Sequence, residues 1–192
     1  MKNSISIIAL LFCFLTGSAQ CGTWRWAVKT ITDGTDKTLL SSTPEKTDIT
    51  TLTKTGSAPH KLSTQRASDE VLPRQSDENR QVTIDCYIYK VKTNEKDRDY
   101  HLLLSSNVDC SGDHMDGEIP DPNCPNLAGF SFLKAKYTAA RKVALDIKTQ
   151  TDAGTVVHVQ ITGVPFWDAL HGASGGAPNG REIHPILYLK KL

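Results

Sequence analysis

Between Arg80 and Leu192 a single stretch of helical period stands among runs of period two, and that order admits few folds. Val82, Ile84, Cys86 and Ile88 alternate with Thr83, Asp85, Tyr87 and Tyr89, the spacing of a half-buried strand. Tyr100 to Leu104 predicts a second strand. Met115 to Ile119 predicts a short third, stopped by Pro120 and Pro122. Phe130, Leu133, Tyr137 and Ala140 then recur at three- and four-residue steps, predicting a helix with Asn126 as its N-cap and Lys134, Lys136 and Arg141 on its wet side. Val157, Val159 and Ile161 form a fourth alternating run, and Ile183, Pro185, Leu187 and Leu189 a fifth. Strand, strand, strand, helix, strand, strand is the order of the OB-fold, a five-stranded barrel whose loops after the first and fourth strands make its binding rim. The expected fold is therefore mainly β, a small OB-like barrel over residues 80–192.

The chain ahead of the barrel divides in two. Lys2, the apolar run Ile5–Leu15 and the small residues Gly17-Ser18-Ala19 have the layout of a secretion signal over residues 1–19, with an apolar run too short to span a bilayer. Residues 20–79 are rich in Thr, Ser, Lys and Asp, and Leu39, Leu40, Ile49, Leu52 and Val71 stand nearly alone. Such a composition cannot offset its own ordering entropy, so a poorly structured extension is expected. Trp24 and Trp26 would share one face of an extended segment and cover a barrel edge.

Export sets the chemistry of the cysteines. Of the five in the chain, Cys13 lies within the signal, leaving Cys21, Cys86, Cys110 and Cys124. An even number in a secreted or periplasmic chain predicts two disulfides. Three pairings are open, and Cys86–Cys110 with Cys21–Cys124 is the favoured one. Lipid attachment at Cys21 is disfavoured by Gln20 before it. Losing Lys2 with the signal lowers the 22 Lys and Arg to 21, against 21 Asp and Glu. A neutral balance argues against strong nucleic-acid binding, which usually needs a basic excess.

Two sets of residues could carry function. Tyr87, Tyr89, Tyr100, Phe166, Trp167 and Arg181 could form a stacking surface, as barrels of this kind use for single strands or sugars. His101, Glu118, Asp168, His171, Glu182 and His184 form a polar set whose imidazoles and carboxylates suit a divalent ion such as zinc or calcium, or general acid–base work. The bland alternative is that these histidines brace a glycine-rich loop through backbone hydrogen bonds. Neither Asp168 with His171 nor Glu182 with His184 has the spacing of a known metal motif. No Gly-x-Ser-x-Gly elbow occurs.

Cys21-Gly22-Thr23-x-Arg25-Trp26-x-Val28-Lys29-Thr30, Asp99-Tyr100-His101-Leu102, Glu118-Ile119-Pro120-Asp121-Pro122-x-Cys124 and the closing His171-Gly172-x-x-Gly175-x-Ala177-Pro178-Asn179-Gly180-x-Glu182-x-His184-Pro185 together resemble a family of exported bacterial proteins with no assigned activity. The resemblance spans nearly the whole chain after the signal. It implies an exported, disulfide-bearing barrel and brings no reaction with it. This chain reads Val164-Pro165-Phe166-Trp167-Asp168 where the family is closer to Gly-Val-Gly-Phe-Phe-Asp.

The functional expectation is a non-enzymatic secreted or periplasmic binding module for a polymer or protein, without a cofactor, its rim formed by Thr93–Arg98 and the 164–181 loop. Two alternatives stand beside it. One is a metal-dependent, nuclease-like hydrolase using His101, Glu118, Asp168 and His184, with Asp97 and Asp99 as further acids and Arg98 or Arg141 as its cation. The other is a structural envelope accessory.

Overall fold

The computed structural model describes residues 21–22, 24–56, 58, 72–170 and 175–192. The signal assigned to residues 1–19, the stretch 59–71 and His171 lie outside the described residues. Strand β1 (Glu45–Thr47) precedes five longer strands: β2 (Val82–Lys92), β3 (Tyr100–Ser105), β4 (His114–Ile119), β5 (Val157–Trp167) and β6 (Arg181–Lys191). The last five run β2-β3-β4-β6-β5, and β5 returns to pair with β2, closing the barrel. Only β4 and β6 pair in parallel among them. This is the connectivity of the OB-fold.

Closure depends on the length of β2. Its first half, Val82–Ile88, pairs with β5, and its second half, Tyr87–Lys92, pairs with β3. A register shift between Ile88 and Lys90 moves the inward parity by one, so Val82, Ile84, Cys86, Ile88 and then Val91 face the core, the effect of an inserted residue on a strand. Gly163 marks a close approach of β5 to β6. A Cβ there would stand 2.3 Å from Ile183 Cγ2 and 2.6 Å from the Pro185 carbonyl oxygen.

One long helix, α4 (Ser131–Asp152), lies between β4 and β5 in the chain and buries Leu133, Tyr137, Ala140, Ala144, Ile147 and Thr151 at alternating four- and three-residue steps. It extends well past the Ala140 at which the sequence pattern stopped. Asn126 is not its cap. Pro125–Leu127 is a separate 3-10 turn, and the Asn126 side chain accepts from Trp26 Nε1 at 3.0 Å and donates to Thr30 Oγ1 at 2.7 Å.

The N-terminal stretch corrects the expectation of a poorly structured extension. Residues 24–56 hold α1 (Trp26–Lys29), α2 (Asp36–Ser41), β1 and α3 (Ile49–Lys54), the last capped by Asp48 accepting from the Thr51 amide. β1 adds to the sheet in parallel with β2. Ile31, Leu39, Ile49 and Leu52 enter the same core as the barrel strands, so a few apolar residues suffice because they build no core of their own. Trp24 and Trp26 do not share a face. Trp24 packs on Phe166 at 5.8 Å between ring centroids, whereas Trp26 meets the His184 ring edge-on at 6.5 Å.

The Cys21–Cys124 disulfide is present and fastens this segment to the turn before α4. The expected Cys86–Cys110 bond is not. Cys86 points into the barrel with its thiol fully buried, while Cys110 sits in the β3–β4 connection with φ of 58°. Burial pushes the Cys86 thiol well up from its ordinary range, with the Asp85 charge adding to it. Among the described residues no helix is long and apolar enough to cross a membrane.

Candidate functional site: a buried charge cluster on the outer face of the barrel

Alternation decides which side chains meet. Leu102 and Leu104 on β3, Met115 and Ile119 on β4 and Ile183 on β6 belong to the barrel core. Their neighbours His101, Asp116, Glu118, Glu182 and His184 therefore stand on the outer face of the same three strands. Glu118 pairs with His101 across β3–β4, and Asp116 with Glu182 across β4–β6. A barrel's outer face normally meets water. Here α1 and the residues following β5 cover it.

Lys29, the last residue of α1, ends among three carboxylates. Its Nζ lies 3.6 Å from Glu182 Oε1, 3.7 Å from Glu118 Oε2 and 3.9 Å from Asp168 Oδ1. The rings of Phe166 and Trp24 lie 5.2 and 5.7 Å away, a cage of anions and aromatic faces suited to an ammonium. Burial alone would lower the lysine's pKa, but the charges of Glu118, Glu182 and Asp168 outweigh it and raise it. Lys29 is a fixed cation.

His184 is fully buried beside it. Its Nδ1 is 2.8 Å from Glu118 Oε2 and 3.2 Å from Glu182 Oε1, and its Nε2 is 3.3 Å from Asp99 Oδ2. Burial and Lys29 oppose its protonation, yet Glu118 and the contact with Asp99 prevail and hold the ring well above the usual histidine range. The carboxylates split in turn. Burial would raise Glu118, but Lys29, His184 and His101 pull it well below the ordinary glutamate value. Glu182, raised by burial and by the Glu118 charge against the pull of Lys29, is pushed up to about 7. Asp99 is likewise raised by burial, with His184 acting against it.

This cluster backs onto a cavity of about 300 Å³. Asp116, Asp168, Glu182 and Arg181 line it together with Ala169, Leu170 and the 176–180 turn. The turn is anchored by Asn179, whose side chain donates to the Leu52 carbonyl at 2.9 Å, and by the Gly180 carbonyl accepting from the Asp168 amide at 2.9 Å. Arg181 has a structural partner. Its guanidinium lies 3.4 Å from the centroid of the Trp167 ring and donates to Asp77, which also accepts from Trp167 Nε1 at 2.9 Å.

The polar set expected from the sequence thus comes together in His101, Glu118, Asp168, Glu182 and His184. The stacking set does not. Phe166, Trp167 and Arg181 are buried, Phe166 and Trp167 under Trp24 and Val28, because the N-terminal segment occupies the surface they would have offered. Tyr87 stacks on His158 at 4.7 Å, Tyr89 meets His114 at 5.6 Å, and Tyr100 lies 4.0 Å from the Arg141 guanidinium. These are three separate pairs. The two arginines offered as the cation of a hydrolase are also engaged, Arg98 with Asp121 and Arg141 with Asp121 and the Ile119 carbonyl.

Lys29 stands in the N-terminal motif of the sequence but carries no signal of a place in the site, and Asp99 carries only a minor one. A second buried pair, Arg25 with Glu78, was not anticipated. Its two hydrogen bonds measure 2.9 and 2.6 Å, and Glu78 also accepts from the Trp167 amide at 2.9 Å. The available signal was the density of Trp24-Arg25-Trp26 and Lys29 in an otherwise threonine-rich stretch. Comparison with protein-family models, with curated proteins and with solved structures finds no match.

Proposed function

We propose that the cavity on the outer face of the barrel is a ligand-binding site and that the protein is an exported binding module for a small amine- or guanidinium-bearing molecule. One observation carries the reading: three carboxylates, Asp116, Asp168 and Glu182, line an open cavity of about 300 Å³. Three carboxylates converging on one cavity give it a negative potential that attracts a cation. A cationic ligand would meet them where Lys29 already shows that the site accepts a cation. The cavity suits a small molecule in size, which moves the expectation away from an extended polymer. The Cys21–Cys124 disulfide supports an oxidising compartment, and the secretion signal read in residues 1–19 supports export.

The test is a titration of the ¹⁵N-labelled protein with diamines and with neutral sugars. Diamines are expected to shift the amides of 175–182 saturably, and Asp116→Asn to weaken binding tenfold or more. Binding is expected to tighten as pH rises from 6 to 8, because Glu182 loses its proton near 7. Sugars binding in preference to amines, or shifts confined to another face, would exclude the proposal.

One observation favours a second reading, an acid–base hydrolase. Glu118 and Glu182, both close to His184, are driven apart in proton affinity, the separation that assigns one carboxyl as acid and another as base. A hydrolysed substrate with a bell-shaped rate profile that loses one limb in Glu182→Gln would establish it.

A further inference from the structure

The geometry points to a divalent-metal site at the rim beside the charge cluster, formed by Asp97, His101 and Glu118 and suited to zinc or a similar borderline ion. One ligand atom from each of the three lies within 4.8 Å of the others. His101 Nδ1 and Glu118 Oε1 are 3.2 Å apart, close to the roughly 3.3 Å edge of a tetrahedron with 2.0 Å bonds. Asp97, on the β2–β3 connection and half-buried, supplies the third ligand atom of the set. His101 Nε2 is buried and has no hydrogen-bond partner among the described residues.

Glu118 is itself held from behind. Its Oε1 faces His101, while its Oε2 is taken by His184 at 2.8 Å and Lys29 at 3.7 Å. Charged groups behind a ligating carboxylate orient it, as the outer partners of metal centres do. Asp99, Glu118 and His184 also lie close enough together to hold an ion. That group is set aside, because Lys29 Nζ, 3.7 Å from Glu118 Oε2, already supplies the positive charge there.

One imidazole with two carboxylates favours zinc or manganese over calcium, which takes six to eight oxygen ligands. Three protein ligands leave at least one coordination position to water. The site shares no ligand with the three carboxylates of the cavity, so it stands or falls independently of the amine-binding proposal.

Equilibrium dialysis of the EDTA-stripped protein against Zn²⁺, read by atomic emission, tests it. One ion per chain is expected, with affinity lowered tenfold or more in Asp97→Asn and in His101→Gln, two changes at side chains that are not in the core. His114→Gln and His158→Gln, at imidazoles packed on Tyr89 and Tyr87, should leave binding unchanged, as should Asp116→Asn in the cavity. Co²⁺ should give visible d–d bands that His101→Gln abolishes. Absence of stoichiometric zinc overturns the proposal. So does wild-type affinity in a folded Asp97→Asn or His101→Gln variant, or a loss that follows His114 or His158.

Discussion

Lys29 Nζ faces Glu182, Glu118 and Asp168 at 3.6 to 3.9 Å, and that one cation pulls Glu118 and Glu182 down against the burial that raises them. Glu182 is packed against Lys29 from α1, Glu118 and Asp116 from β4, Asp168 from the loop after β5, and His184 on its own strand. It holds its proton up to about pH 7, against 4.5 for an ordinary glutamate. Between those values the native state keeps a proton that the unfolded chain has released, so this residue makes stability fall as pH rises through that window. Glutamine cannot ionise and keeps an oxygen for His184. Glu182→Gln is therefore expected to gain about 2–3 kcal/mol relative to the wild type on going from pH 5 to pH 8. Urea denaturation of both proteins at the two pH values measures this, and an unchanged difference would mean that Glu182 is ionised in the native state. The members of the cluster carried by strands were legible in the sequence, because His101, Glu118, Glu182 and His184 interrupt alternating apolar runs and must share a face. Lys29 was not legible. Nothing local distinguishes a buried lysine from the other cations of a neutral chain, since the charges that hold it come from β4, β6 and the loop after β5.

The long elements follow from periodicity and the short ones do not. Five strands and α4 were readable because each carries its own pattern of buried positions. α1, α2 and α3 have four to six residues each, far below the length at which a helix is stable in isolation. They exist because Ile31, Leu39, Ile49 and Leu52 dock into a core supplied by other strands, and no local pattern announces that. The β5–β6 pairing shows the opposite case, where a single residue type reports the contact. Gly163→Ala would drive its Cβ against Ile183 and the Pro185 carbonyl oxygen. Backbone on one side of that contact cannot yield by a rotamer change, so a loss of about 1–3 kcal/mol is expected. Thermal denaturation checks it. A variant as stable as the wild type would mean that β5 and β6 are not in such close approach.

At the level of the whole molecule, the boundary near residue 80 that composition suggests is not a boundary in the fold. The segment 24–56 supplies Lys29 to the charge cluster, Arg25 to Glu78 and Trp24 to Phe166, and the disulfide to Cys124 holds it in place. A barrel beginning at residue 72 would keep Glu118, Asp168, Glu182 and His184 but lose the lysine that balances them. It would also uncover Phe166 and Trp167. Removing one partner of a buried charge cluster costs about 3–5 kcal/mol, a large part of the 5–15 kcal/mol that stabilises a typical domain. The 72–192 fragment is therefore expected to be compact but loosely packed, binding the apolar dye ANS and showing poorly dispersed amide resonances. The chain from residue 20 should bind little dye and give sharp, dispersed spectra. A fragment with a cooperative thermal transition and native-like dispersion would show that the N-terminal segment is an accessory to a self-sufficient barrel. The opposite result makes that segment part of the domain, with the charge cluster lying at the seam where the two parts of the chain close on each other.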